Sequence, residues 1–218
     1  MPLTRLDQVA SMVRPCTTAV DIGTDHGYLA LKLLKSGIAQ HVIATDLRPL
    51  PIKQAQKTFA QANVTEGVTF VISDGLLSVD QQPQTAILAG MGGELAIKII
   101  QQSLDRFMAM QQIVIQANSH LEKVRHYVWT HGFEIESEQV TYEGFFYPMI
   151  SIHYTGKIRQ VDLREAFLGE GLNPRDPLVR AFYEHECQRY AGILAQHPHA
   201  QQAKDRLTWL TEALNSQG

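Results

Sequence analysis

The residues of this 218-residue chain best suited to chemistry begin in one short stretch, Asp21-Ile22-Gly23-Thr24-Asp25-His26-Gly27-Tyr28. A β-branched run leads into it and a helical run leads out, an arrangement that puts a tight turn and backbone N–H groups at the carboxyl end of a first strand. A nucleotide suits that position. A dinucleotide, however, brings its diphosphate close to a G-x-G-x-x-G backbone, and here Asp25 stands at the second glycine, where its carboxylate repels phosphate. The loop therefore suits a ligand that carries positive charge and no phosphate.

Three further stations follow at the ends of later strands. Asp46 lies 25 residues after Asp21, where a carboxylate can accept from both hydroxyls of a ribose. Asp74, followed by Gly75, can accept from an adenine amino group while Leu76 or Leu47 packs a face of the base. Ala89-Gly90-Met91-Gly92-Gly93 is a run of small residues that lets a ligand approach the backbone closely. A nucleoside with an ammonium and a sulfonium, S-adenosylmethionine, satisfies all four stations. The expected cofactor contacts are Asp21, Gly23, Thr24, Gly27, Asp46, Leu47, Asp74, Gly75, Ala89, Gly90 and Met91. No metal ligands are expected. Asp25, His26, Tyr28 and, after the fifth strand, Asn118 are the candidates for work on the acceptor. Asp25 could instead cap the following helix, and Asn118 could cap the next one.

The elements that must position these residues follow from the hydrophobic pattern. Short apolar segments at 17–23, 41–46, 68–73, 85–90 and 112–118 alternate with helical runs starting at 28, 50 and 93, the pattern of a parallel sheet covered on both faces. In the run from 93, Leu95, Ile99 and Leu104 fall near one face. A helix over 119–132 is expected, with Ser119 as its cap, Glu122 three residues on and Gly132 at its end. Two strands at 133–143 and 145–154, turning at Glu143 and Gly144, then make seven, the last antiparallel. From Lys157 onward no strand is expected. The chain breaks at Gly169–Pro177 and then shows two helical runs, with Leu207, Leu210 and Leu214 facing Phe182, Tyr190 and Leu194 across a hairpin seam. The expected division is a sheet domain over 1–156 and an all-helical domain over 157–218.

Composition narrows the setting. With 44% hydrophobic and 19% charged residues the chain reads as an ordinary globular protein. No apolar run approaches the roughly 18 residues of a membrane span, and the first 20 residues lack a signal-peptide core. A cytoplasmic protein that does not engage membranes is expected. Cys16 and Cys187 lack metal-ligand spacing and read as ordinary thiols. The net charge of −3 gives no global pull toward a polyanion, so any nucleic acid must be met by a local basic patch. Lys123, Arg125, His126 and His131 form one candidate patch. Arg159, Arg164, Arg175, Arg180, Arg189, Lys204 and Arg206 form another, with acids mixed among them.

The stretches Asp21–Ala30, Ala44–Gln56, Asp74–Leu76, Ala89–Gly93, Ile115–Asn118 and Tyr142–Ile150 together resemble the bacterial tRNA (adenine-22 N1)-methyltransferases, the TrmK family. The likeness covers about residues 3 to 153, and the tail in length and character. It departs from the family's usual pattern at Ala30, Leu50-Pro51 and Ala117. The resemblance implies an α/β fold, a class I methyltransferase (Rossmann-like) seven-stranded sheet, followed by a C-terminal all-helical, coiled-coil-like domain. It implies methyl transfer from S-adenosylmethionine to adenine N1 in tRNA. A methyltransferase acting on a small molecule or protein, with the tail as a lid or dimer interface, is the alternative. The oligomeric state, monomer or homodimer, is open.

Overall fold

The computed structural model describes residues 4–216. Its strands are β1 (Cys16–Ile22), β2 (Ala39–Asp46), β3 (Val68–Ile72), β4 (Thr85–Gly92), β5 (Gln112–Ser119), β6 (Phe133–Tyr142) and β7 (Phe146–Tyr154). They form one sheet in the order β3-β2-β1-β4-β5-β7-β6. β1 to β5 run parallel, and β7 is inserted antiparallel between β5 and β6. Since β6 is antiparallel to β7, it points the same way as β5. The hairpin tip at Glu143 and Gly144 therefore shares the sheet edge on which the parallel strands end.

The central strands are apolar at consecutive positions because both faces are covered. Val20, Ile22, Leu88, Ile113 and Ile115 point into one layer, together with Ala96, Ile100 and Val124. Ala19, Val42, Ile87 and Val114 point into the other, against Leu29, Leu33 and Phe59. The helices supplying these faces are α1 (Arg5–Met12), α2 (Tyr28–Lys35) and α3 (Pro49–Gln61) on the second side, and α4 (Gly93–Gln102) and α6 (Leu121–Thr130) on the first.

Several local readings change. The chain forms α1, which hydrophobic periodicity did not signal; its start is a capping box in which the Thr4 hydroxyl accepts from the Asp7 N–H and the Asp7 carboxylate accepts from the Thr4 N–H. Leu104 opens a separate short helix, α5 (Leu104–Met108), and Leu95 is 47% exposed, so the buried stripe of α4 is Ala96, Ile99 and Ile100. Ser119 is the last residue of β5 and caps nothing: α6 begins after His120, whose backbone is left-handed (φ +57°) and whose side chain makes no cap bond.

After β7 come α7 (Leu163–Leu168), α8 (Pro177–Gln196) and α9 (Gln201–Asn215). Asp162 caps α7, which the sequence pattern did not reveal, and Asp176 caps α8 ahead of Pro177. The expected seam forms: Tyr190 and Leu210 are buried, with Phe182, Leu194, Leu207 and Leu214 packed beside them. Val140 and Phe146 of the β6–β7 hairpin belong to the same cluster, so the helical tail closes its core on the sheet.

Candidate active site

Because the parallel strands end on one edge, the loops that follow them enclose a cleft of about 600 Å³, within the range of small-molecule sites. Asp21, Gly23, Thr24, Asp25, His26 and Tyr28 line it from the first loop, and Asp46 and Leu47 from the second. Asp74 and Gly75 line it from the third, and Ala89, Gly90 and Met91 from the fourth.

Two expected contacts lie elsewhere. Gly27 (φ +71°) is not on the cleft wall: a Cβ there would stand 2.8 Å from Ala55 Cβ, so its role is to let α2 pack against α3. Asn118 faces a neighbouring pocket rather than the cleft, and its Nδ2 donates to Gly90 O at 2.8 Å. Leu76 is 1% exposed in the core, which leaves Leu47, 64% exposed, as the apolar neighbour available to a bound ring.

The first loop ties part of its backbone down, chiefly onto β2. Gly23 N and Thr24 N both donate to Thr45 O, at 2.9 and 2.8 Å, and Gly27 N donates to Thr24 O at 2.8 Å. Three of the N–H groups anticipated from the strand–loop–helix pattern are therefore occupied, which breaks up the cradle a phosphate would need. Carboxylates take its place. Burial raises the pKa of Asp21 to about 6; the Thr24 hydroxyl, donating at 2.7 Å, and the Ala30 N–H oppose that shift, and the nearby Asp46 charge adds to it. Asp46 is nearly buried and its Oδ1 accepts from Arg48 N at 3.0 Å. Asp74 Oδ2 accepts from Gln102 Nε2 at 3.4 Å.

Asp25, His26 and Tyr28 gather at the cleft rim. Asp25 sits in the left-handed region (φ +49°) with an exposed carboxylate 3.7 Å from His26 Nε2. It does not cap α2, whose N-cap is Gly27 without a side-chain bond. The His26 and Tyr28 rings stack at 5.7 Å with 15° between planes, leaving both side chains open to a partner.

Sequence reasoning missed Arg5, Leu6, Ser73 and Leu95 on the cleft wall. Arg5 arrives on α1, and its Nη1 donates to Gln116 Oε1 at 2.7 Å. Thr4 and Asp7 were the available signal, since a Thr three residues before an acid marks a helix start.

The basic patches are mostly committed. Arg125 is buried on Glu138, with Nε–Oε1 at 2.6 Å, and so is not presented to solvent. Arg159, Arg164, Arg180, Arg189 and Arg206 each lie against a carboxylate. His131 stacks on Tyr127 at 4.0 Å.

Comparison with known proteins places this geometry. A family model described as a methyltransferase domain matches residues 3–150. A Bacillus subtilis protein named tRNA (adenine(22)-N(1))-methyltransferase is 25% identical over 140 residues, which cover 64% of this chain and 59% of that protein. The matched stretch is thus under two thirds of that relative. Among solved structures, the B. subtilis M1A22 tRNA methyltransferase TrmK superposes with a TM-score of 0.83 at 20% identity, over 99% of both chains. M. capricolum TrmK in complex with S-adenosyl-homocysteine gives 0.83 at 22% identity, over 97% of this chain and 96% of that one. The fold of these proteins, tail included, is the fold seen here.

Proposed function

The chain belongs to the methyltransferase-domain family, and we propose that it transfers a methyl group from S-adenosylmethionine to N1 of an adenine, at position 22, in tRNA. The observation that carries this reading is the carboxylate lining: Asp21, Asp25, Asp46 and Asp74 line one cleft, and Gly23 N and Thr24 N of the first loop are already bonded to β2. Such a set of carboxylate acceptors fits a cationic nucleoside and not a diphosphate. The named Bacillus relative supports the choice of acceptor.

The residues present fit the cofactor. Asp46 would hold the ribose, Asp74 and Leu47 the adenine, and Gly23, Thr24 and the Ala89–Met91 backbone the methionine portion. When bound, S-adenosylmethionine supplies an electrophilic methyl group on a sulfonium. The chain's own task is then chiefly positioning, because neutral adenine already carries a lone pair on N1 and needs no strong base. N1 lies on the Watson–Crick edge, so the base must enter the cleft unpaired or flipped. His26 and Tyr28 offer a stacking surface at the rim for it. Asp25 offers a carboxylate that stabilises the positive charge developing on the methylated ring and accepts from its N6–H. Asn118, off the cleft, would act through Gly90 rather than on the ring.

The tail, in this reading a separate helical domain over 157–218, holds the tRNA body, and the enzyme works in the cytoplasm. Among the described residues no helix is long and apolar enough to cross a membrane.

Transfer of labelled methyl to unmodified tRNA, followed by nucleoside analysis, tests the proposal. N1-methyladenosine is the expected product, and its absence overturns the tRNA assignment.

A further inference from the structure

Gly90 is an extra residue in β4. Ala89 pairs with Gln116 and Met91 with Ala117, so Gly90 (φ +80°) bulges out of the ladder without a backbone partner on β5. Its polar groups are satisfied by side chains instead. Gly90 N donates to Gln116 Oε1 at 3.0 Å, and Gly90 O accepts from Asn118 Nδ2 at 2.8 Å. The β5 register skips Asn118 in turn, between Ala117 and Ser119.

Gln116 is fully buried and engages both polar atoms of its side-chain amide here. Oε1 accepts from both Gly90 N and Arg5 Nη1, and Nε2 donates to Asn118 Oδ1 at 3.0 Å. Neither Arg5 nor a backbone N–H can accept, so the orientation of the amide is dictated by its neighbours. The bulge that Gln116 holds reaches across the cleft: a Cβ on Gly23 would stand 3.4 Å from Met91 Cε. Bulges beside active sites re-aim the residues around them. This one directs Ala89, Gly90 and Met91 into the cleft, and the same oxygen steers Arg5 there.

We propose that Gln116 is a positioning residue for methyl transfer, one buried amide that fixes the β4 bulge and aims Arg5 into the cleft. The proposal rests on the function proposed above, and substitutions at Gln116, at Arg5 and at a control position test it. Gln116→Leu removes every polar atom at similar volume. Gln116→Glu keeps the acceptor for Gly90 and Arg5, the latter now a charge pair, and turns the donor facing Asn118 Oδ1 into an acceptor. Ile152→Val, a small truncation in the β7 core, controls for lost stability. Melting temperature, the Kd for S-adenosylhomocysteine by calorimetry, and kcat and KM on unmodified tRNA are measured for each.

Gln116→Leu should lower kcat by about 10²-fold, the cost of misplacing a reacting group by an ångström, with a smaller change in KM. It should raise the Kd for S-adenosylhomocysteine roughly tenfold, since buried donors lose their acceptor. Gln116→Glu should recover part of both, and Ile152→Val should change neither. Adding Arg5→Ala to Gln116→Leu should cost little beyond Gln116→Leu alone, because the two residues act as a unit. A kcat within twofold of wild type, a Gln116→Glu protein no better than Gln116→Leu, or additive effects of Arg5 and Gln116 overturn the proposal. If wild-type protein methylates no tRNA, the functional reading fails by itself. Calorimetry then decides the role of Gln116, which an unchanged Kd in Gln116→Leu refutes.

Discussion

Asp46 and Asp21 share a cleft, yet only one of their substitutions should change the stability of the fold. Asp46→Ala removes the carboxylate placed to receive ribose hydroxyls. Charge-assisted hydrogen bonds contribute about 1.5–3 kcal/mol, so the Kd for S-adenosylhomocysteine should rise roughly 10- to 100-fold with little change in melting temperature; an unchanged Kd removes Asp46 from the cofactor site. For Asp21, burial lifts the pKa to about 6 from the ordinary 3.8. Below about pH 3.8 neither the folded nor the unfolded chain carries this charge. Between there and about 6 the unfolded chain ionises first, so folding loses stability as pH rises, and above about 6 the full penalty of roughly 3 kcal/mol is present. Asp21→Asn keeps an acceptor for Thr24 and should therefore raise the melting temperature at about pH 8 while weakening cofactor binding about tenfold. Thermal unfolding across pH checks the first effect and calorimetry the second. A variant that melts lower than wild type at about pH 8 contradicts the burial argument.

At the level of elements, glycines distinguish contact from packing. Gly27 is in the nucleotide-loop pattern, but its φ of +71° and the 2.8 Å approach to Ala55 Cβ show that it serves the α2–α3 contact. Gly27→Ala should cost about 1–3 kcal/mol from backbone strain, plus overpacking, visible as a lower melting temperature with a similar Kd per folded molecule. A stable Gly27→Ala protein with a greatly raised Kd would return Gly27 to the binding wall. The strands were legible because a doubly covered sheet writes itself as consecutive apolar residues, and the carboxylates at strand ends were legible because chain spacing sets where those ends fall. What periodicity missed was short or cooperative. α1 has eight residues, fewer than an isolated helix needs, and is held by its capping box and by the tertiary face of Val9, Ala10 and Met12. The Gly90 bulge leaves no periodic mark either. It exists because two side chains on β5 take the place of its ladder bonds.

Across the whole molecule, a buried charge pair within the sheet domain hydrogen-bonds the start of the tail, beside the apolar contacts already described. Arg125 on α6 donates Nε to Glu138 Oε1 on β6 at 2.6 Å, and its Nη1 donates to Ala166 O and Phe167 O at 3.0 Å each, at the end of α7. Glu138 Oε2 accepts from Gly171 N at 2.8 Å. Gly169 lies so close that a Cβ there would fall 2.5 Å from Glu138 Oε2 and 2.9 Å from Arg125 Cζ. Sequence reading placed Arg125 in a surface patch because composition cannot show that a carboxylate thirteen residues later folds back beneath it. Removing only the cation strands a buried carboxylate and two carbonyls, which costs about 3–5 kcal/mol. At roughly 2–4 °C per kcal/mol for a chain of this size, Arg125→Met should melt about 6–20 °C below wild type. Replacing both charges, Arg125→Met with Glu138→Gln, should recover part of that loss: the stranded charge is gone, while the glutamine oxygen still accepts from Gly171 N. Melting curves of the two single variants and the double variant check this. An Arg125→Met protein that melts as wild type does would mean that the tail is held by its apolar contacts and not by the buried pair.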